Sequence, residues 1–180
     1  MPRLLEKYCP YCGAKRAKLD YQWPKECGCG VITYRNPVPV VNALLPIYTD
    51  DSLGILCIKR AIEPCKGEWA LPGGYLELAE CWQDGAVREL YEESGIMLNV
   101  ENDIKKIICV DSNPKRDRLL LFALCKPQKQ DLLQKLQTNS EVTDFKLVYA
   151  PEELAFPPHT RSLELYFLNY HENLLTEKDF

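Results

Sequence analysis

The sequence predicts an α/β (α+β) fold: a mixed sheet with helices on both faces, preceded by a small cysteine-rich module. Three observations carry that prediction. Four of the nine cysteines, Cys9, Cys12, Cys27 and Cys29, cluster with Gly13, Gly28 and Gly30 in the first 35 residues. Five runs rich in β-branched and apolar residues follow, separated by turn residues. Two longer segments carry helical periodicity and helix punctuation. With 46% hydrophobic and 27% charged residues over 180 positions, the chain can bury one sizeable core plus a small appendage. Disorder, collagen and coiled coil are poor fits to that composition.

Behind the module, strands are expected at 38–48, 54–60, 104–110, 119–125 and 145–149. These runs are continuous rather than alternating, which implies a sheet covered on both faces. A helix over 81–94 contains no proline, starts behind the carboxylate of Glu80 and stops at Gly95, a residue suited to the left-handed cap. A second, over 160–173, spaces Leu163, Phe167 and Tyr170 as a packing stripe, and a shorter one is expected over 129–137. The resulting division is a cysteine module at 1–35, a main domain at 36–175 and a tail at 176–180. No apolar run approaches the roughly 20 residues of a membrane span, and no export signal is evident. A cytoplasmic protein with reduced or metal-bound thiols is therefore expected, and membrane partners are not.

Charge is distributed unevenly. The net charge is −4, but residues 1–35 hold seven basic and three acidic groups, so the module is positive and the main domain strongly negative. An acidic body acting on a phosphate-rich ligand needs cations to offset the repulsion, which points to divalent metal if phosphate is the ligand.

The 81–94 helix breaks local rules. An advance of about 100° per residue puts Glu89, Glu92 and Glu93 within one arc of roughly 100°. Ala86, Val87, Leu90 and Tyr91 form the apolar face, and Gly85 leaves a bare position beside the acidic one, where something could approach the carboxylates. Like charges at these spacings cost about 0.2–0.5 kcal/mol per pair, and the helix C-terminus prefers cations. Arg88 neutralises only part of this. A solvated acidic face remains one account; a functional site is the other. The preceding turn, Trp69-Ala70-Leu71-Pro72-Gly73-Gly74, favours the second, because its glycines permit close backbone approach and a hard dication wants several oxygen ligands.

Gly74, five residues, Glu80, seven residues and then Arg88-Glu89-Leu90-Tyr91-Glu92-Glu93-Ser94-Gly95-Ile96 fit every fixed position of the Nudix box, so the chain resembles the Nudix hydrolase family. The strand around Ile58-Lys59-Arg60-Ala61 and the segment opening at Glu141 look like family elements too. The resemblance implies a Nudix α/β/α sandwich with a mixed sheet, hydrolysing a nucleoside diphosphate linked to another group. It also implies that Glu89, Glu92 and Glu93 hold Mg2+ or Mn2+, with the Gly73 carbonyl as a further ligand. Arg88 would orient the glutamates and Glu80 would pin the loop to the helix start. The general base stays open among Glu89, Glu92 and Glu141, although Glu141 reads more readily as an exposed strand-edge residue. Arg60 and Arg161 are candidate substrate-binding residues. For His159 a capping or surface role is expected.

Cys9-Pro10-Tyr11-Cys12-Gly13 reads as a zinc knuckle, with Cys27-Gly28-Cys29-Gly30 as its partner, one residue short of the usual spacing. Four thiolates would complete a closed structural Zn2+ site, which so small a module needs in order to fold. Tyr8, Tyr11, Tyr21 and Trp23 are expected to supply the module's packing rather than a surface for nucleic acid. The other cysteines read as small core hydrophobes, with access expected at Cys65 and Cys81, which flank the acidic-helix segment. A zinc ribbon ahead of a Nudix domain resembles the NADH pyrophosphatase and ADP-ribose/FAD pyrophosphatase branches. Residues 107–118 lack the Ser-Gln-Pro-Trp-type run of the first, so the second is the closer likeness. The implied substrate is a small nucleotide such as ADP-ribose or FAD, with AMP released. NADH pyrophosphatase, RNA decapping and a non-catalytic nucleotide- or nucleic-acid-binding regulator are the alternatives, and a homodimer is compatible with all of them.

Overall fold

The computed structural model describes residues 7–16, 22–50 and 52–176. In chain order its elements are β1 (Lys25–Glu26), β2 (Ile32–Thr33), β3 (Val38–Leu44), β4 (Pro46–Tyr48), β5 (Leu53–Arg60), β6 (Trp69–Ala70), β7 (Gly73–Tyr75), α1 (Trp82–Ser94), α2 (Val100–Asp103), β8 (Ile104–Ser112), β9 (Arg118–Cys125), β10 (Gln128–Lys129), a 3-10 helix (Gln130–Lys135), β11 (Val142–Val148), α3 (Pro157–Asn169) and α4 (His171–Thr176). The chain divides into two compact units, Met1–Pro37 and Val38–Phe180. Apart from Thr176, the expected tail lies outside the described residues.

The larger unit holds two mixed sheets. One runs β7-β3-β9-β8 and the other β10-β4-β5-β11, with β6 pairing the end of β5. The strand expected over 38–48 is really two: β3 lies in the first sheet and β4 in the second, with the change at Leu45. Leu45 is fully buried, and its carbonyl accepts from Leu56 N–H at 3.0 Å. Hydrophobicity is continuous across the break because both strands are covered on two faces, so no pattern in the sequence marks it. Alternate residues of β3 feed opposite cores: Val40 and Leu44 join Phe122, Leu163 and Tyr166 on the α3 side, whereas Ala43 joins Leu90 and Ile96 on the α1 side.

Cys81 caps α1, its sulfur accepting from Asp84 N–H at 3.5 Å, and Gly95 ends it at φ 79°, its N–H bonded to the Tyr91 carbonyl at 2.8 Å. The buried stripe of α1 runs through Ala86, Leu90, Glu93 and Ser94, not through Tyr91, which is 48% exposed. The expectation that Tyr91 docks on the sheet is thus corrected: two polar residues complete the stripe, and Tyr91 lies one helical step off it. Gly85 is likewise not open. Its missing side chain is replaced by Leu76, whose Cδ2 lies 2.3 Å from where a Cβ would be, with a Glu80 oxygen at 3.0 Å.

The last helix starts earlier than expected, because Pro157 is tolerated in the first turn, and a break at Tyr170 separates α3 from α4. Leu163 is fully buried, and Phe167 and Tyr170 pack against the same cluster. The expected 129–137 helix is a single 3-10 segment whose start has no side-chain cap. No helix among the described residues is long and apolar enough to cross a membrane.

Candidate active site and cysteine cluster

The site forms where α1 passes the outer edge of β7. The two glycines there are required sterically. A Cβ on Gly74 would sit 2.4 Å from both carboxylate oxygens of Glu89, and one on Gly73 would sit 2.2 Å from the Val41 carbonyl. Close approach lets the Gly73 N–H donate to Glu93 Oε2 at 2.8 Å.

Arg88 organises the rest. Its Nε and Nη2 grip Glu80 Oε1 and Oε2 at 2.8 and 2.9 Å, and Nη2 also donates to the Tyr75 carbonyl at 2.9 Å. Nη1 is shared between Glu89 Oε1 at 2.8 Å and Glu92 Oε2 at 3.2 Å. Glu80 in turn accepts from Glu77 N–H at 3.0 Å, so one guanidinium ties the loop, the helix start and two helix carboxylates together.

The acids differ in electrostatics. The Arg88 bonds hold Glu80 below the ordinary carboxylate range. Burial pushes Glu89 up against the pull of Arg88. Glu93 is only 6% exposed, and burial drives its carboxyl up to about 8 despite the Gly73 N–H, with the charges of Glu89 and Glu141 adding to the rise. Glu141 therefore lies within electrostatic reach of the helix acids, and Arg60 favours the ionised form of Glu93. Arg60 stacks on Phe156 at 5.2 Å and donates to the Pro64 carbonyl at 2.8 Å. Arg161 stands elsewhere, paired with Asp111 of β8, and lines a cleft of about 930 Å³ with Trp69, Thr160 and Glu164. None of the α1 carboxylates lines that cleft.

Sequence reasoning missed Asn139. Its Nδ2 donates to the Glu92 carbonyl at 2.7 Å, and its Oδ1 accepts from Glu141 N–H at 2.8 Å and Val142 N–H at 3.0 Å, tying α1 to the Glu141 segment. The signal available was an asparagine two residues before the candidate glutamate, a turn-forming position.

His159 corrects another expectation. It is 5% exposed, its Nδ1 accepts from Leu71 N–H at 3.2 Å, and its ring packs on Phe122 and Phe156. The early start of α3 is what carries it inside. Burial takes the imidazole down to about 3, with Arg60 adding to the shift. An unfolded histidine titrates near 6.5, so the stability its neutral ring provides is complete above that pH and is lost as pH falls towards 3. At pH 5 the loss is about 2 kcal/mol. His159→Asn, which keeps an acceptor for Leu71 N–H, is expected to remove that part of the acid limb, as read from urea titrations at pH 7 and pH 5. An unchanged difference between the two pH values counts against it.

In the smaller unit the four sulfurs of Cys9, Cys12, Cys27 and Cys29 lie within 4.8 Å of one another. Among the described residues this is the only group of three or more His, Cys, Asp or Glu ligand atoms drawn so close; the α1 carboxylates do not form such a group. A tetrahedral zinc at about 2.3 Å from each sulfur requires S–S separations of about 3.8 Å. The Cys9–Cys29 and Cys12–Cys27 separations are 4.0 and 3.6 Å, so the residues fit the ion. The Gly13 N–H to Cys9 carbonyl bond (3.0 Å) and the Gly30 N–H to Cys27 carbonyl bond (2.8 Å) close both knuckles, and the short second spacing is accommodated. The backbone N–H groups of Cys12 and Tyr11 lower the Cys9 thiol to about 6. Tyr8 and Tyr11 are 42% and 74% exposed, contrary to the packing role expected, whereas Trp23 lies beneath Arg16 and Lys25. Among the described residues of this unit only Cys9 and Thr33 are buried, which leaves no interior there to receive the tyrosines; Tyr21 lies outside the described residues. Of the other cysteines, Cys57 and Cys125 are buried as expected, Cys81 is exposed in line with the access expected there, and Cys65 and Cys109 are half-buried.

A two-sheet α+β domain whose central helix turns an arginine and three glutamates towards a glycine edge strand is built on the Nudix plan. Residues 38–168 match the family model of the NUDIX domain, and the chain belongs to that family. It is similar to an ADP-ribose pyrophosphatase of Methanocaldococcus jannaschii, with 39% identity over 84 residues, covering 47% of this chain and 45% of that protein. It is also similar to the NAD-capped RNA hydrolase NudC of Haemophilus influenzae, with 27% identity over 93 residues, covering 51% and 34%. The chain spans less than half the length of these relatives. A NUDIX hydrolase from Nitrosomonas europaea superposes with a TM-score of 0.66 at 26% identity, covering 92% of this chain and 93% of the other.

Proposed function

We propose that the protein is a divalent-metal-dependent pyrophosphohydrolase that cleaves nucleoside diphosphate-linked substrates of the ADP-ribose or FAD type and releases AMP. One observation carries the reading: Arg88 holds Glu80, Glu89 and Glu92 in one bonded group beside the buried Glu93, an all-oxygen donor set suited to hard dications. Mg2+ or Mn2+ held by Glu89, Glu92 and Glu93, with Gly73 as a further ligand, would neutralise the diphosphate and acidify a water. Arg88 fixes the direction of two carboxylates, Glu80 anchors Arg88, and Gly74 keeps the floor of the site clear of a side chain. Glu89, Glu92 and Glu141 are the carboxylates available to take the proton of the attacking water. Arg60, whose charge acts on Glu93, is the nearer candidate for a substrate phosphate; Arg161 stands with the cleft. Residues 1–35 would be a structural zinc ribbon and 36–175 the hydrolase domain. The protein would work in the cytoplasm on a small nucleotide, as a homodimer or alone.

The second reading, removal of a nucleotide cap from RNA, draws support from the exposed Tyr8 and Tyr11 on a basic module. A panel of ADP-ribose, FAD, NADH and capped RNA, each with Mg2+ and with chelator, separates the readings. AMP released from ADP-ribose or FAD only when metal is present is the expected result. Hydrolysis of NADH or capped RNA alone would select those alternatives, and nucleotide binding without hydrolysis would indicate a regulator.

A further inference from the structure

Helix α1, like any α-helix, ends in carbonyl groups that need donors from outside its regular ladder. Gly95 turns into the left-handed conformation and returns its N–H to the Tyr91 carbonyl. The next donor, Ile96 N–H, goes to Ser94 Oγ at 3.2 Å, which leaves the Glu92 carbonyl for a donor from elsewhere.

That donor and a second one come from a single segment far along the chain. Asn139 Nδ2 reaches the Glu92 carbonyl at 2.7 Å, and Gln137 N–H reaches the Ser94 carbonyl at 2.9 Å. The segment runs close to the helix end: a Cβ on Gly95 would sit 2.8 Å from the Lys135 carbonyl. The end of α1 that carries Glu92 and Glu93 is thus capped by the residues leading into Glu141.

Asn139 uses both ends of its amide at once. While Nδ2 donates to α1, Oδ1 accepts from Glu141 N–H at 2.8 Å and Val142 N–H at 3.0 Å, and Asn139 N–H returns to the Val142 carbonyl at 3.0 Å. An aspartate there would keep the turn but face the Glu92 carbonyl with a second oxygen, because a carboxylate only accepts. On its other side Glu141 is fixed through its carbonyl, which accepts from Ala61 N–H at 2.7 Å. Val142 follows, fully buried and in register with Arg60 of β5. The main chain of Glu141 is therefore held between the end of α1 and the end of β5, while its side chain stays exposed. An asparagine that served only the turn would need only its oxygen. The donor bond to a carbonyl 47 residues away fixes one element against the other.

We infer that Asn139 is a positioning residue, holding Glu141 in a set place relative to Glu89, Glu92 and Glu93 so that a carboxylate outside the box works together with those inside it. The inference rests on the hydrolase reading above, because the reaction it serves is that hydrolysis.

The test is a double-mutant cycle on ADP-ribose or FAD in Mg2+, with Asn139→Asp, Glu141→Gln and the two combined. A misplacement of about 1 Å costs on the order of 100-fold, so Asn139→Asp is expected to lower kcat about 10–100-fold with KM within about threefold. In the Glu141→Gln background the same substitution is expected to change kcat by less than about threefold, because the group it positions is gone. Amide hydrogen exchange gives a readout that needs no turnover. Asn139→Ala is expected to speed exchange at the Glu141 and Val142 N–H groups at least about tenfold and to leave Gly95 N–H, bonded within α1, within about twofold.

Equal losses from Asn139→Asp in both backgrounds would reveal a general structural role and overturn the assignment. So would an unchanged kcat, a Glu141→Gln variant as active as wild type, or unchanged exchange at the two amides. In each of those cases a wild type that turns over leaves the hydrolase reading standing. A wild type that hydrolyses neither substrate, with the two amides still released by Asn139→Ala, instead takes down the hydrolase reading, and the role assigned to Asn139 falls with it.

Discussion

Glu93→Gln is expected to lower turnover at least about 100-fold while leaving the fold intact. Loss of a group that merely orients a metal ligand costs about 10–100-fold, so loss of a ligand belongs at or beyond the upper end. The substitution keeps the volume of the side chain and an oxygen to accept from Gly73 N–H, the bond that holds Glu93 at the edge of β7. Stability is expected to move the other way. The carboxyl stands at about 8 in the folded chain because it is buried, against an ordinary value near 4.3 when unfolded. In metal-free protein the contribution of the protonated acid is complete below the unfolded value and is lost as pH rises through 8. The amide carries no charge to desolvate. Melts in chelator between pH 5 and pH 9 should therefore show wild type losing ground to Glu93→Gln with rising pH. Turnover of the variant within threefold of wild type would remove Glu93 from the machinery, whatever the melts show.

Removing metal from the smaller unit is expected to unfold it. Among the described residues of that unit Cys9 is the only buried hydrophobic side chain, and β1 and β2 pair over only two residues each. Zinc bound by four thiolates supplies about 10–16 kcal/mol of apparent binding free energy in peptides of this kind, against a core that supplies almost none. Cys12→Ser, or chelator on the wild type, is expected to expose the N-terminal segment to protease, while the Val38–Phe180 unit keeps its own thermal transition. Zinc near one equivalent per chain should accompany the protected form. Protection that survives chelation in zinc-free protein would show that something other than the metal holds the knuckles together.

Legibility from sequence followed the range of the forces involved. Helix α1 and its Gly95 cap were readable because capping, periodicity and like-charge conflict act within a few residues. The four cysteines were readable because their spacing and neighbouring glycines encode the two knuckles locally. The split of 38–48 at Leu45 was hidden, because which sheet a strand joins depends on partners far along the chain, Leu121 for Val41 and Gln128 for Ile47. Tyr91 was misplaced since an apolar residue was assumed to face inward and an acid outward; Glu93 occupies the inward position instead. His159 was misread because the expected helix start at Thr160 put it outside the helix, and Asn139 was missed because its value lies in a bond to Glu92, 47 residues away.

Leu45 does more than mark a boundary. The box turn hangs on β3 through β7, and Arg60 ends β5, which is paired to β4. Both therefore hang from a single uninterrupted piece of backbone, stitched at one residue and stiffened by the proline that follows. The arginine and the box turn thus share a chassis, and a substitution at this seam is expected to be felt by side chains that never touch it.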